Sequence, residues 1–311
     1  MNSNDPLNDT DTILNINTYY CNIIYMATTD IKIFCVTLGS DIPRCKDLLD
    51  SALLYGNNIK VIDSTKTYRG YISKIEDVET MLNEPSCIIR DDDVVCFVDA
   101  YDVIFSGTEH EILSKFQATG LELLFSTELN MTGYPENHPH FKSVYEFIHK
   151  NLSTNFRYIN TGGYIGTKRA ILKWHSWCSK HEREKIVHQL YDGGYAMTYY
   201  MNQLIGELWK PINVGIDYQC NIFQSMYLIN WKEFYFMNKR IYNKTLDNNT
   251  PCIIHFNGSS FQYLDGCNND SSVIPIFLEN LYTSDIIRDT KIELKVAPSG
   301  YKHHGYPRLQ K

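Results

Sequence analysis

The sequence predicts an α/β protein built on a parallel sheet, and three observations carry that prediction. From Asp30 to Glu128, β-rich apolar runs alternate with amphipathic segments of helical spacing. The stretch VVCFVDAYDVIFSG (94–107) has the unbroken Val, Cys and Phe content of a strand covered on both faces. Beyond Glu128 the alternation stops, so a regular first half is followed by an irregular second half with no linker between them.

Each element has its own reason. DIKIFCVTLG (30–39) is a strand, and DIPRCKDLLDSALLYGN (41–57) a helix with an Asp cap, an early Pro and a Gly stop. IKVID (59–63) is a second strand, YISKIEDVETML (71–82) a second helix, and the RDDD turn leads into the strand at 94. TEHEILSKFQATG (108–120) is a third helix and LELLFSTE (121–128) a further strand. This repeat implies parallel pairing through right-handed crossovers. In the second half, RYINTGGYIGTK (157–168), WKEFYFMNKRIYN (231–243) and PCIIHFNG (251–258) read as strands, and AILKWHSWCSKH (170–181) and YAMTYYMNQLIGEL (195–208) as helices. The division is a polar extension over 1–29, one domain over 30–285 and a basic tail over 286–311.

Composition narrows the classes. Hydrophobic residues make up 43% and charged ones 21%, enough for a substantial core. The net charge of −7, without a dense basic stripe, argues against nucleic acid as a partner. No apolar run reaches membrane-spanning length, and the N-terminal segment lacks the basic and apolar regions of a leader. The nine cysteines include no CxxC pair, so reduced thiols in a cytoplasmic compartment are expected. An oligomer is compatible with all of this.

The chemistry concentrates at strand ends. Asp99 and Asp102 close an apolar run, where carboxylates are costly unless they leave the core or meet a cation. Ligands of open α/β sheets sit beyond the carboxyl ends of the strands, so a divalent cation is the natural partner. His255 also ends an apolar strand and offers a third ligand; imidazole beside two carboxylates tilts the choice from Mg towards Mn. A hydrogen-bonded buried histidine is the other reading of His255. In NTGGYIG the adjacent glycines Gly162 and Gly163 allow close approach of a ligand to main-chain N–H groups, although a tight turn uses glycines in the same way. Neither GxGxxG nor GxxxxGK[ST] occurs.

The motifs FVDAYDVIFSG, LLFSTE, RYINTGGYIG, IDYQCNIFQS and IIHFNG, in this order, resemble the glycosyltransferase domain of procollagen lysyl hydroxylases and related collagen glycosyltransferases. The resemblance spans roughly 30–265. It implies a GT-A fold: a Rossmann-like nucleotide-binding half with a mixed central sheet, fused to an irregular acceptor half. It also implies Mn-dependent transfer of a hexose, glucose or galactose, from a UDP-sugar to a hydroxyl, such as hydroxylysine of a collagen-like protein. Residue by residue, Asp99, Asp102 and His255 match the metal ligands. Tyr101, Thr37 and Lys74 match positions near the nucleotide. Asn160, Gly162 and Gly163 match the sugar-side wall, and Asn257 and Gly258 the phosphate-proximal turn. Glu128 matches an acidic residue on the acceptor side, and Glu128 and Asp192 are the candidate bases.

Two departures accompany the match. Of the aspartate run that precedes a helix in the family, only Asp192 remains in YDGGYAMTYYMNQL, and SSFQ (259–262) stands where the family has a lysine. The loss of the run implies a less polar pocket on the side of the transferred sugar, so that UDP alone binds nearly as tightly as UDP-glucose or UDP-galactose. The alternative is that Asp192 reaches back across a flexible Gly193-Gly194 pair to fill the role. A glycosyltransferase-like binding or scaffold protein with weak turnover is the alternative from a different class.

Overall fold

The computed structural model describes residues 33–39, 41–62, 72–134, 136–183, 191–207, 212–230, 233–258, 274–283 and 288–289. In chain order the first half contains β1 (Ile33–Leu38), a 3-10 turn (Ile42–Cys45), α1 (Lys46–Leu54), β2 (Ile59–Ile62), α2 (Ile72–Asn83), β3 (Val94–Val98), β4 (Val103–Phe105), α3 (Glu109–Ala118) and β5 (Leu123–Glu128). The second half contains α4 (Phe141–Asn151), β6 (Tyr158–Thr167), α5 (Lys168–Arg183), α6 (Asp192–Leu204), β7 (Val214–Ile216), β8 (Phe223–Ser225), β9 (Phe234–Met237), β10 (Arg240–Asn243), β11 (Ile253–His255), α7 (Ile274–Thr283) and β12 (Arg288–Asp289).

The central sheet runs β2-β1-β3-β6-β5-β7. Strand β1 pairs in parallel with β2 and β3, and β5 in parallel with β7, but β6 lies antiparallel between β3 and β5. The sheet is therefore mixed, as a GT-A fold requires, and the all-parallel pairing implied by the βα repeat is corrected. The repeat orients β3 and β5 alike; it cannot reveal that a strand arriving later in the chain separates them. All five residues of β3 and all six of β5 are buried, as expected of strands covered on both faces. On one face Tyr164 stacks on Phe97 at 4.9 Å, and Trp174 of α5 meets the Tyr164 ring edge-on at the same distance. On the other, Leu48, Ile112 and Phe116 of α1 and α3 pack against Cys35, Cys96 and Val98.

VVCFVDAYDVIFSG is not one strand. Its first part is β3 of the central sheet, and its last is β4 of a small sheet ordered β4-β11-β8. The DAYD segment crosses between the two. Asp41 heads the 3-10 turn without a side-chain cap, so α1 starts only at Lys46. Helix α4 was absent from the predicted elements, although Phe141, Val144, Tyr145 and Ile148 carry helical spacing. In 231–243 the chain forms the β9–β10 hairpin, turned by Asn238 and Lys239 at φ 50° and 56°. Within the segment expected as a tail, Arg288–Asp289 form β12, which pairs with β9. Residues 1–29, most of the tail and SSFQ lie outside the described residues.

Candidate cation and donor site

The site forms where the two sheets part. Asp99 follows β3 directly, and its N–H donates to Gly162 O at 2.9 Å. Asp102 precedes β4, and its carbonyl accepts from the Phe256 N–H at 2.7 Å. Strand β11 lies antiparallel to β4 with His255 opposite Val103, which sets the imidazole beside Asp102. One ligand atom from each of Asp99, Asp102 and His255 lies within 4.8 Å of the others. His255 Nε2 is 3.2 Å from Asp102 Oδ2 and 3.7 Å from Asp99 Oδ2.

Two carboxylates and an imidazole fit a divalent ion, and the backbone shape around them leaves those side chains room to converge. A Cβ on Gly162 would collide with His255 Cε1 and lie 2.8 Å from Asp99 Oδ2. Glycine is thus required because the ligand side chains press against the main chain. NTGG is not a tight turn but part of β6. Its pairing with β5 slips between Phe125–Tyr164 and Ser126–Asn160, so the residues between bulge out towards the ligands. Gly163 lies against Phe223, whose ring a Cβ there would approach to 2.6 Å.

The electrostatics are tightly coupled. Burial alone would lower the His255 pKa, but Asp102 and Asp99 outweigh it and raise it above the usual imidazole range. Burial pushes Asp99 up, against the opposing pull of Lys74 and His255. For Asp102 the burial penalty is overcome by His255, and its pKa falls below the usual carboxylate range.

Lys74, in the first turn of α2, enters this cluster directly. Its Nζ is 2.8 Å from Asp99 Oδ1 and 2.7 Å from Asp192 Oδ2. Burial would lower the lysine pKa, yet the two carboxylates raise it, so the ammonium stays charged. Asp192 does reach the site, but not over a flexible link: Asp192, Gly193 and Gly194 are the buried first residues of α6. The glycines serve packing. A Cβ on Gly133 would collide with Gly194 N, and one on Gly193 would lie 3.0 Å from Ile159 O.

Glu128 forms a second cluster behind the ligands. It is 1% exposed, accepts from Asn257 Nδ2 at 2.7 Å and from Thr132 Oγ1, and has Asn160 as a further partner. Burial pushes its pKa up to about 7 against these hydrogen bonds. Asn160 Oδ1 accepts from the Gly162 N–H at 2.8 Å, which ties this cluster to the cation site. Asn257 Oδ1 accepts from the Tyr227 N–H, and Gly258, at φ +65°, lies under the Tyr227 ring. Tyr101 is half-buried at the outer lip, with its hydroxyl accepting from the Asp41 N–H at 3.2 Å and the Arg44 guanidinium 4.4 Å from its ring centroid. Thr37 is fully buried on β1, one residue past the Val36–Phe97 pair, and its hydroxyl has no hydrogen-bond partner among the described residues.

Sequence reasoning missed Asp217. Its carboxylate accepts the N–H groups of Asn221, Ile222 and Phe223 at 2.8–2.9 Å. This fixes the loop into β8, the parallel neighbour of β11. The signal was an acidic residue five and six positions before an apolar pair, within a motif already singled out.

Fold and site together define an α/β protein of the glycosyltransferase class, with a candidate Asp-Asp-His cation site at the lip of a mixed sheet. The family model described as the PLOD GT domain matches residues 33–272, and the chain belongs to that family. It is 30% identical over 141 residues to the human "Multifunctional procollagen lysine hydroxylase and glycosyltransferase LH3", which covers 44% of this chain and 16% of that protein. It is 25% identical over 199 residues to the Bos taurus "Procollagen-lysine,2-oxoglutarate 5-dioxygenase 1", covering 63% of this chain and 22% of that one. The chain therefore spans only a minor part of these relatives' length. Among solved structures it is similar to a "glycosyltransferase involved in the glycosylation of the major capsid of PBCV-1", with 12% identity, a TM-score of 0.44, and coverage of 74% of this chain and 96% of that one.

Proposed function

We propose that the protein transfers a hexose, glucose or galactose, from a UDP-sugar to a hydroxyl acceptor, with hydroxylysine of a collagen-like chain as the acceptor and Mn2+ as the cofactor. The observation that carries this reading is the convergence of Asp99, Asp102 and His255 on one point within a family of glycosyltransferase domains. A divalent ion bound there supplies electrostatic stabilisation of the charge that grows on the leaving diphosphate.

The chain's own residues do the rest. Asp99, Asp102 and His255 hold the ion, and Tyr101 and Thr37 border the nucleotide, with Lys74 at the inner end. Asn160, Gly162 and Gly163 wall the sugar side, and Asn257 and Gly258 form the turn by the phosphates. Of the two candidate bases, Glu128 has the pKa suited to proton transfer near neutrality. Asp192 is engaged by Lys74. A cytoplasmic location accords with the free thiols of all the described cysteines. Among the described residues no helix is long and apolar enough to cross a membrane. The scaffold reading is less favoured, because a protein without turnover has little reason to keep all three ligands convergent.

The test is release of UDP across a panel of UDP-sugars, with Mn2+ or EDTA and with or without a hydroxylysine peptide. The expected result is release that depends on Mn2+ and is accelerated by the peptide. Absence of release with every donor would return the protein to the binding class.

A further inference from the structure

The two oxygens of Asp99 face different partners. Lys74 Nζ takes Oδ1 at 2.8 Å, while Oδ2 is the oxygen that faces His255 Nε2 at 3.7 Å. The lysine is itself held from behind by Asp192 Oδ2 at 2.7 Å. Asp192 is fixed in turn. It is 7% exposed, it occupies the first turn of α6 where a carboxylate suits the helix dipole, and its Oδ1 accepts from the Gly193 N–H at 3.0 Å. Close packing of Gly133 on Gly193 and Gly194 locks that turn against the sheet. A chain of contacts therefore runs from the α6 backbone through Asp192 and Lys74 to the side-chain torsion of Asp99.

We infer that Lys74 and Asp192 act as a pair of positioning residues that hold Asp99 as a one-oxygen ligand with Oδ2 turned to the cation. This rests on the reading of Asp99, Asp102 and His255 as a divalent-cation site. It gives the surviving aspartate of YDGGYAMTYYMNQL a task other than that of base. It also explains why a positive side chain sits beside a cation site, where simple repulsion would exclude it: the ammonium binds the oxygen that the ion does not use, and Asp192 offsets its charge.

The charge-neutral double variant Lys74→Met/Asp192→Asn separates positioning from charge, because it removes one charge of each sign. Mn2+ affinity is measured on the full chain by electron paramagnetic resonance of the free ion, with circular dichroism as the check on folding. The expected result is at least a tenfold loss of Mn2+ affinity in the folded double variant, with Lys74→Arg retaining affinity within about threefold. Unchanged or tighter Mn2+ binding by the double variant overturns the inference. Should the double variant not fold, Asp192→Glu serves instead: it keeps every charge and shifts only the carboxylate that grips Lys74. An affinity loss of threefold or more in that variant supports positioning, and an unchanged affinity overturns it. The wild type is the control for the underlying reading. If it binds no Mn2+, the cation site itself falls; if it binds and the variants match it, only the positioning role falls.

Discussion

A methyl group at position 162 would meet His255 Cε1 and lie 2.8 Å from Asp99 Oδ2, so one carbon decides whether two ligands can stand where they do. Gly162→Ala should displace the His255 ring, destabilise the fold by about 1–3 kcal/mol and weaken Mn2+ binding at least tenfold. Denaturant melts and calorimetry of Mn2+ binding check this; wild-type affinity in the alanine variant would show that the ring has room to spare. Glu128 makes a pH prediction. Its folded pKa of about 7 exceeds its ordinary 4.5, so between these values the folded chain holds a proton that the unfolded chain releases. Stability tied to that proton is fully present below pH 4.5 and is lost as pH rises through 7, a loss of roughly 3 kcal/mol. Glu128→Gln mimics the protonated acid and should flatten this dependence. Unfolding measured at pH 5 and pH 8 should therefore show the variant gaining on the wild type as pH rises; parallel slopes would exclude the assignment. The convergence of Asp99, Asp102 and His255 was legible in the sequence because each stands at the end of an apolar run. The Lys74–Asp192 pair was not, since it joins the starts of two helices far apart in sequence, each of which packs on α5.

At the scale of elements, the small sheet β4-β11-β8 carries His255, and Asp217 secures its entry loop. Asp217→Ala would strip the shared acceptor from three N–H groups, two of them on the buried residues Ile222 and Phe223. A buried donor left unpaired costs about 1–3 kcal/mol, so the variant should lose at least about 2 kcal/mol of stability. Because β8 is the parallel neighbour of β11, Mn2+ affinity should fall with it. Asp217→Asn, which keeps an acceptor, should lose less on both counts, and a melt of all three chains decides it. The same region shows where sequence reading stops. Strands β7, β8 and β11 have three residues each, too few for a period of two to declare itself. β11 was legible only because IIH is wholly apolar up to the histidine. The first half reads well because β1, β2 and β4 are each followed by a helix long enough to show its spacing. The place of β6 between β3 and β5 is set by long-range pairing, which no local pattern encodes.

For the whole molecule, the proposed function makes charge the link between folding, the cation and the donor. The body carries a net charge of −7, and among the described residues the site brings three carboxylates together against the ammonium of Lys74. The carboxylates of such a site would repel a diphosphate until a divalent ion offset them. Mn2+ and UDP should therefore bind in order, each stabilising the folded chain by mass action. At Mn2+ one hundred times its dissociation constant the gain is about 2.7 kcal/mol, which for a chain of this size raises the melting temperature by about 5 °C. UDP should add a further rise of several degrees only when Mn2+ is present, and EDTA should reverse both. Mg2+ should give a smaller rise than Mn2+, because an imidazole ligand suits the softer ion better. Thermal melts in four conditions (EDTA, Mn2+, UDP with EDTA, UDP with Mn2+) make the comparison. If UDP raises the melting temperature equally in EDTA and in Mn2+, the nucleotide binds without sharing the ion, and Asp99, Asp102 and His255 must be assigned to something other than the diphosphate.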